Sequence, residues 1–337
     1  MVSELTSRLL VYRTLEFTSP ARIPRQLFCP PGIEIEEKEK TSLQFIRSKY
    51  PDDLVMAPVV YLSSATPSLR ARGRNLYRDE WGCLWERPAP YYLGKVKEAP
   101  LQDLSQIASY RPPEFILEID REAVRDFCRR TECFVLSGEE VRLFERLQSL
   151  RGEMELFQDL ARLPNEFLAL LKLVHDFNLK LIDVWSSTPI DGLVLVDDWG
   201  GQDRLLISPQ LWRRLFKPLY QEYVELIHSR GKKVFFHSDG YILEIIPDLI
   251  EIGIDALNAQ LFTLGLEQLG DMARGQLTFW GCADMEFFPV SKTKLDIRQK
   301  VKALKDMLFL EGGLIARVDF LPGVKMENLI NFLAAWE

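Results

Sequence analysis

The segment VFFHSDG, residues 234–240, joins three apolar residues directly to His237 and Asp239 and ends at Gly240. An imidazole and a carboxylate two residues apart can serve as a pair of metal ligands or as an acid/base pair. Asp239 can instead cap a helix that begins near Tyr241, and His237 can be a core histidine bonded to a neighbouring strand. The spacing alone leaves these interpretations open.

Polar side chains follow other apolar runs in the C-terminal half of the chain in the same way. In a parallel barrel the C-terminal ends of the strands meet at one face, and catalytic groups lie there. Carboxylates gathered at one face destabilise one another, so a protein without a site has little reason to place them together. The sequence therefore predicts a ligand pocket at this face, formed by Asp197, Asp198, Trp199, Gln202, His237, Asp239, Asn258, Gln260, Cys282, Asp284 and Asp319. Asp198 can also be a helix cap, and Cys282 can be a small buried residue.

The elements that must position these residues alternate regularly from about residue 190 onward. Short apolar runs alternate with helical patterns, which predicts repeated βαβ units and a parallel sheet. The helix predicted over 207–231 begins with Ser208 as N-cap and Pro209 at its first position. Pro218 within it predicts a kink or a break into two helices.

Seven runs read as strands: 53–62, 133–138, 192–199, 232–240, 254–261, 277–284 and 312–320. They are continuously apolar, as expected for strands that are covered on both faces. We predict an α/β fold, a (β/α)8 TIM barrel with an irregular N-terminal extension or insertion, whose eighth strand the sequence does not locate. A doubly wound open sheet is the alternative.

Composition limits the class of protein. The chain has 337 residues, 47% hydrophobic and 27% charged, with a net charge of −7, and we expect one domain over 1–337. The acidic balance argues against a nucleic-acid partner, and no apolar run is long enough to span a membrane. Five scattered cysteines without a CxxC pair are typical of the cytoplasm, where we expect the protein. The segment of about 63–112, rich in arginine and aromatic residues, is either a lid-like wall for an anionic ring-bearing ligand or a packed insertion.

Four segments resemble the uroporphyrinogen decarboxylase superfamily. They are RIPRQLFCPPG (22–32), GLVLVDDWGGQDRLLISPQLWRRLFKP (192–218), HSDGYILEIIPDLIEIGIDALNAQL (237–261) and GGLIARVDFLPGVKMENL (312–329). That superfamily joins the haem-pathway decarboxylase with corrinoid-dependent methyltransferases, which pass a methyl group from methylcobalamin to a thiol. The resemblance implies a (β/α)8 barrel with its pocket at the C-terminal mouth.

The departures from the decarboxylase pattern favour the methyltransferase-like branch. Arg25 and Gln26 match the first two positions of the decarboxylase's RQAGR motif, but Leu27, Phe28 and Cys29 follow, so the second arginine is absent. The decarboxylase also carries an aspartate after an early strand, and VMAPVVYL (55–62) offers no carboxylate to match it. A substrate with eight carboxylates needs its cationic contacts, so decarboxylation of uroporphyrinogen is disfavoured.

The thiol methyltransferases of the superfamily hold zinc with a His-x-Cys pair and a distant cysteine. His237 matches the histidine, Asp239 stands in place of the first cysteine, and Val318 or Asp319 lies in the region of the last. The resemblance thus implies a harder metal site, with candidate ligands His237, Asp239, Asp319 and Cys282. Such a set suits Zn²⁺, Mn²⁺ or Fe²⁺ without strong preference. A metal-free acid/base or hydrogen-bonding pair is the alternative.

The sequence hypothesis is a methyltransferase-like enzyme that moves a methyl group between a corrinoid, free or on a partner protein, and a small acceptor or donor. The candidate catalytic residues are His237, Asp239 and Asp284. The candidate substrate-binding residues are Asp197, Asp198, Trp199, Gln202, Asn258, Gln260 and Arg25. A decarboxylase-type lyase and a non-catalytic corrinoid or tetrapyrrole carrier are the alternatives.

Overall fold

The computed structural model describes residues 6–30, 35–62, 76–86, 94–282, 293–320 and 324–337. The strands in these ranges are β1 (Arg25–Phe28), β2 (Leu54–Met56), β3 (Leu76–Arg78), β4 (Leu84–Glu86), β5 (Lys95–Glu98), β6 (Phe134–Val141), β7 (Gly192–Val196), β8 (Lys233–His237), β9 (Ala256–Asn258), β10 (Thr278–Trp280) and β11 (Leu314–Asp319). The helices are α1 (Ser7–Leu15), α2 (Glu37–Lys49), α3 (Arg121–Arg130), α4 (Phe144–Arg151), α5 (Glu153–Arg162), α6 (Asn165–Ser186), α7 (Pro209–Leu215), α8 (Lys217–Ser229), α9 (Ile246–Glu251), α10 (Leu261–Leu264), α11 (Leu266–Ala273), α12 (Lys294–Leu308) and α13 (Met326–Ala335).

Eight of the described strands form one parallel sheet in the order β1, β11, β10, β9, β8, β7, β6, β2. The two ends of this order also meet, because the Asp53 N–H donates to the Arg25 carbonyl at 2.8 Å. The sheet is therefore a (β/α)8 barrel, as predicted, and the doubly wound alternative is wrong. All seven predicted strands are present, and the eighth is β1, whose four residues lie close after Pro24.

The helix boundaries in the C-terminal half follow their local signals. Ser208 Oγ accepts a hydrogen bond from the Leu211 N–H at 3.2 Å, which confirms the predicted N-cap. The predicted break near Pro218 separates α7 from α8 at Phe216. Pro218 has no N–H to donate back into the preceding turn, so one continuous helix would lose a hydrogen bond there.

The segment of about 63–112 contains elements that the sequence did not suggest. Residues 63–75 and 87–93 lie outside the described part, but β3, β4 and β5 form a small antiparallel sheet. Trp81 beside this sheet meets Phe177 of α6 edge-on, with ring centroids 4.7 Å apart. The Tyr110 hydroxyl donates to the Trp81 carbonyl at 2.7 Å. The described part of the segment is thus packed against the outer helices.

Helix α1 closes the N-terminal end of the barrel. Its Val11 and Leu15 join a buried cluster of interior strand residues, namely Leu54, Phe134, Leu136, Val194, Val196, Phe235, Ala256, Trp280 and Ile315. Arg8 of α1 bonds to the Asp191 carboxylate at 3.0 Å and anchors the helix below β7. The apolar interior therefore rests on α1, and its polar groups lie at the opposite end. In the part of the chain that is described, no helix combines the length and apolarity needed to cross a membrane.

Two phenylalanines test this description of the core. Phe235 is fully buried in the interior and packs edge-on against Trp280 at 5.0 Å, whereas Phe45 on α2 is 62% exposed. Phe235→Ala should lower the free energy of unfolding by about 3–5 kcal/mol, because it opens a cavity in a close-packed core. Phe45→Ala should change it by about 0.5 kcal/mol or less. Urea denaturation of both variants measures the difference, and equal losses would contradict the described interior.

Candidate metal centre at the barrel mouth

Two glycines bring the turns after β7 and β8 into contact. A Cβ atom on Gly200 would lie 2.3 Å from the Gly240 carbonyl carbon, so only glycine allows this approach. The backbones are joined by hydrogen bonds, with the Gly200 N–H donating to the Asp239 carbonyl at 3.1 Å. The Asp239 N–H in turn donates to Asp198 Oδ1 at 2.8 Å. This contact sets the Asp198 and Asp239 carboxylates side by side.

His237 at the end of β8 completes a cluster with these two carboxylates. Its Nε2 lies 3.7 Å from Asp198 Oδ1 and 3.9 Å from Asp239 Oδ1. One ligand atom from each of the three residues lies within 4.8 Å of the others. Two ligands that are each about 2.1 Å from one ion can be at most about 4.2 Å apart, so the two measured distances fit a shared cation.

A chain of hydrogen bonds through Asn258 fixes the imidazole. Asn258 Nδ2 donates to the Trp280 carbonyl at 2.7 Å, which leaves Oδ1 as the acceptor facing His237. His237 Nδ1 lies 2.6 Å from that oxygen and therefore carries the proton in this arrangement. In the neutral ring, Nε2 then offers its lone pair to the space beside the two carboxylates. A partner that fixes the tautomer in this way is typical of histidines that bind metals.

Asp239 has an oxygen without a partner. Its Oδ1 is buried and accepts no hydrogen bond within the described part of the chain, although the rest of the side chain is partly exposed. Burial raises the pKa of Asp239, His237 opposes this shift, and Asp198 and Asp319 add to it. The capping interpretation of Asp239 is wrong, because neither Leu243–Ile245 nor α9 has a side-chain cap.

The cluster as a whole offers acceptors, and Arg317, the side-chain cation that acts on Asp239, is itself paired with Asp319. The imidazole of His237 and the carboxylates of Asp198 and Asp239, one oxygen of which is buried without a partner in the described structure, fit a divalent metal ion better than an internal hydrogen-bond network. The set of nitrogen and oxygen donors suits Zn²⁺, Mn²⁺ or Fe²⁺. Asp198 likewise is no helix cap, since Ser208 caps α7.

The third candidate ligand, beside His237 and Asp239, is Asp198 rather than the predicted Asp319. Asp319 is held by Arg317, which donates to its two oxygens at 2.7 and 2.9 Å. The Arg317 guanidinium lies between the rings of Phe28 and Trp280, 4.2 Å from each centroid. Cys282 is buried after β10 and does not belong to the group of possible metal ligands found in the described residues. Asp319 therefore acts on the cluster through its charge alone.

Asp197 and Trp199 do not line the mouth, in contrast to the prediction. Asp197 has no exposed surface, and its carboxylate accepts from the N–H groups of Leu143 and Glu145 at 2.8 Å and from the Tyr220 hydroxyl at 2.5 Å. Burial raises the pKa of Asp197 to about 6. Trp199 is also fully buried, stacked on the Phe144 ring at 4.1 Å. Both residues hold α4 against β7.

The remaining predicted residues lie at different levels of the barrel. Arg25 begins β1 and so lies at the N-terminal end, away from the mouth, because the strand runs from that end toward Phe28. Gln202 is exposed in the turn after β7, and Gln260 is partly buried just before α10. Asn258 is buried beneath His237. Asp284 lies outside the described residues.

Glu145, in the first turn of α4, was missed by the sequence search. Its carboxylate pairs with Arg142, which also binds Glu140 at 2.5 Å. Burial raises the pKa of Glu145 to about 8 although Arg142 opposes the shift, and Asp198 and Asp197 add to it. Following strand ends in the sequence does not reveal Glu145, because this residue belongs to a helix. The hydrogen bond from its N–H to Asp197 brings it close to the mouth.

A comparison with solved structures finds chains with a similar fold. The chain is similar to a methyltransferase from Methanosarcina mazei, with a TM-score of 0.67 and 13% identity over 99% of this chain and 98% of that one. A D-psicose 3-epimerase determined in the presence of D-fructose has a TM-score of 0.39 and 11% identity over 68% and 77% of the two chains. The IOLI protein with a bound zinc atom has a TM-score of 0.39 and 13% identity over 66% and 82%.

No protein-family model and no curated protein matches the chain. At 13% identity the likeness to the methyltransferase shows the fold. That fold is the one implied by the methyltransferase-like branch of the sequence resemblance.

Asn258 provides a test of the metal centre that leaves all three candidate ligands in place. Asn258→Ala removes the acceptor that holds His237 Nδ1, so affinity for Zn²⁺ or Mn²⁺ should fall by about 10- to 100-fold. Asn165→Ala, exposed at the start of α6, is the matched control and should bind metal like the wild type. Titration with a competing chelator measures both affinities, and an unchanged affinity in Asn258→Ala would contradict the proposed orientation.

Glu145 should make stability depend on pH. A carboxyl whose pKa is raised to about 8 in the folded protein stays protonated where the unfolded chain has released its proton. Stability should therefore fall as the pH rises from about 5 to 8, by at most about 1.4 kcal/mol per pH unit. Glu145→Gln should remove the part of this fall above about pH 6, where Asp197 is already ionised, and Glu267→Gln, exposed on α11, should keep it. Urea denaturation at several pH values measures the slope, which would be the same in wild type and Glu145→Gln if the carboxyl were ionised throughout.

Proposed function

We propose that the chain is a metal-dependent, methyltransferase-like enzyme that moves a methyl group between a corrinoid and a small acceptor or donor at the barrel mouth. The observation that carries the proposal is the buried Asp239 oxygen without a partner, beside the His237 lone pair and Asp198. The sequence resemblance and the likeness to a methyltransferase structure support the same class of reaction. A corrinoid protein as partner belongs to this proposal.

In this proposal His237, Asp198 and Asp239 hold a divalent ion, which supplies positive charge that favours the deprotonated form of a thiol acceptor. Asn258 keeps the His237 lone pair aimed at the ion. The pair of Arg317 and Asp319 forms the neighbouring wall, held rigid between two aromatic rings. Asp284, which lies outside the described residues, remains the candidate acid or base.

The transfer conserves atoms and electrons with methylcobalamin as co-substrate. The thiol loses its proton, and its sulfur lone pair forms the new bond to the methyl carbon. The bond between carbon and cobalt breaks, and its electron pair stays on the cobalt. The chain's contribution is to orient the acceptor and to accept the proton at Asp284, the candidate acid or base that is not one of the three metal ligands.

Methylcobalamin and a panel of small thiols test the proposal directly. Wild-type protein supplied with Zn²⁺ or Mn²⁺ should demethylate the corrinoid, which changes its visible spectrum. His237→Gln and Asp239→Asn should lower the rate by at least about 100-fold, since each removes a charged or lone-pair ligand. Asp203→Asn is the control for Asp239→Asn, because Asp203 is exposed in the turn after β7 and pairs only with neighbouring Arg204 in the described structure.

Two results would overturn the proposal. One is the absence of demethylation with every thiol, with and without added metal. The other is tight corrinoid binding without turnover and without loss of affinity in His237→Gln, which would indicate a carrier. Thermal melts with and without a strong chelator show whether the protein has bound metal in these experiments. The chelator should lower the melting temperature of the wild-type protein and leave that of Asp239→Asn unchanged.

A further inference from the structure

The side-chain charges around the His237 cluster bear on the kind of acceptor that the barrel mouth can take, and this choice of acceptor rests on the methyl transfer proposed above. The charge of Arg317 acts on Asp239, and that of Arg142 acts on Glu145. In the described structure each of these two arginines is bound by carboxylates. Neither is therefore left over as a partner for a negatively charged acceptor.

On the β11 side, the mouth presents a carboxylate rather than a guanidinium. Ile315 belongs to the barrel interior, so Arg317 and Asp319, two and four residues later, face the same way. Arg317 donates to the two oxygens of Asp319 at 2.7 and 2.9 Å and lies between two aromatic rings. Its side chain is only 8% exposed, whereas that of Asp319 is 36% exposed. Asp319 is therefore the more accessible partner for a ligand in the mouth.

On the β6 side, a bulge turns an acidic residue toward the mouth. The pairing register of β6 with β7 shifts between Leu136 and Glu140, and Glu140 then pairs with Val194. Glu140 thereby takes the inward direction of Val194, which belongs to the barrel interior. Arg142 pairs with Glu140 at 2.5 Å and also with Glu145. One arginine shared by two glutamates adds no net positive charge to the mouth.

The His237 cluster leaves no positive charge over when it holds a divalent ion. Asp198 and Asp239 carry two negative charges, which such an ion would cancel, and a thiolate bound to the ion would add another. A negatively charged tail on the acceptor would therefore lose its hydration without gaining a cation from the described residues. A tail with N–H donors would find acceptors, because Arg317 uses one lone pair on each Asp319 oxygen and a carboxylate offers about four.

We propose that the acceptor is a small thiol with a cationic tail, an aminothiol, whose ammonium group binds the Asp319 carboxylate. The sulfur lies at the ion, and the ammonium lies on the β11 side of the mouth. The ammonium is unchanged by the reaction, since the thiol proton, the sulfur lone pair and the methyl group move as described above. The tail therefore sets the affinity for the acceptor rather than the ease of breaking the bond between carbon and cobalt.

The methylated products of three short thiols test the tail without the complication of thiol ionisation. They are methylthioethylamine, methylthioethanol and methylthioacetate, which carry a cationic, a neutral and an anionic tail. Isothermal titration of the full chain supplied with Zn²⁺ measures their affinities. The Kd of the amine should be at least about 10-fold lower than that of the acetate, and the Kd of the alcohol should lie between them.

Variants of Asp319 test where the tail binds. Asp319→Asn should reduce the preference for the amine over the acetate by at least about 10-fold, because it removes the charge and frees Arg317 for the acetate. Asp319→Glu should keep the preference, since it keeps the charge. Asp176→Asn is the matched control and should leave the three affinities unchanged, because Asp176 is exposed on α6 and pairs with Lys172. Melting temperatures without ligand show whether each variant is folded.

Three results would contradict the inference: no heat with any of the three compounds, an acetate that binds wild-type protein as tightly as the amine, or an unchanged preference in folded Asp319→Asn. A failure of the methyl transfer itself has a different signature. If the affinities follow the expected order but aminoethanethiol does not demethylate methylcobalamin, the transfer is wrong and the binding of the cationic tail at Asp319 stands.

Discussion

The two-residue alternation of the barrel strands is the constraint on which the rest of the structure depends. In β7, Val194 and Val196 point into the barrel while Leu193 and Leu195 face the helices. Continued past the strand end, the same alternation sends Asp197 outward and Asp198 inward. In β8 it places Phe235 inside, and two residues later it brings His237 to the mouth. The alternation of side chains thus gives two adjacent aspartates different roles: Asp197 holds a helix, and Asp198 belongs to the candidate site.

The outward aspartate is as important as the inward one. Asp197 accepts N–H groups at the start of α4, where a helix leaves donors without partners. This fixes Glu145 in the first turn of α4 near Asp198 and so adds another acid to the mouth. The negative charge gathered there is offset in part by Arg142 and Arg317, which are held by neighbouring carboxylates. The negative charge of Asp198 and Asp239, which face one small space beside His237, has no lysine or arginine paired with it in the described structure.

Much of this arrangement was accessible from the sequence. Apolar runs located seven strands, and proline and serine located the ends of α7 and α8, because these signals are local. Strand β1 was missed because four residues are too few to show a pattern, and the sheet of β3 to β5 lies in a segment without clear strand rhythm. His237, Asp239 and Asn258 were found by following strand ends. The pairing of Asp198 with His237 depends on a contact between the ends of two strands, which no local pattern records. Asp319 pairs with Arg317, two residues before it, and the sequence alone does not show that these two side chains meet. Arg25 was misplaced because a motif match carries no information about which end of a strand it occupies.

The contact between Gly200 and Gly240 has a consequence for how this chain can vary. Each glycine fills the space that a side chain on the other would need, and the two backbones are tied by hydrogen bonds. Enlarging one position cannot be compensated by shrinking the other, because neither has any atom left to give up. The two turns therefore have to change together, and an inserted residue would find room beyond Gly201 but none between the strand ends and the glycines.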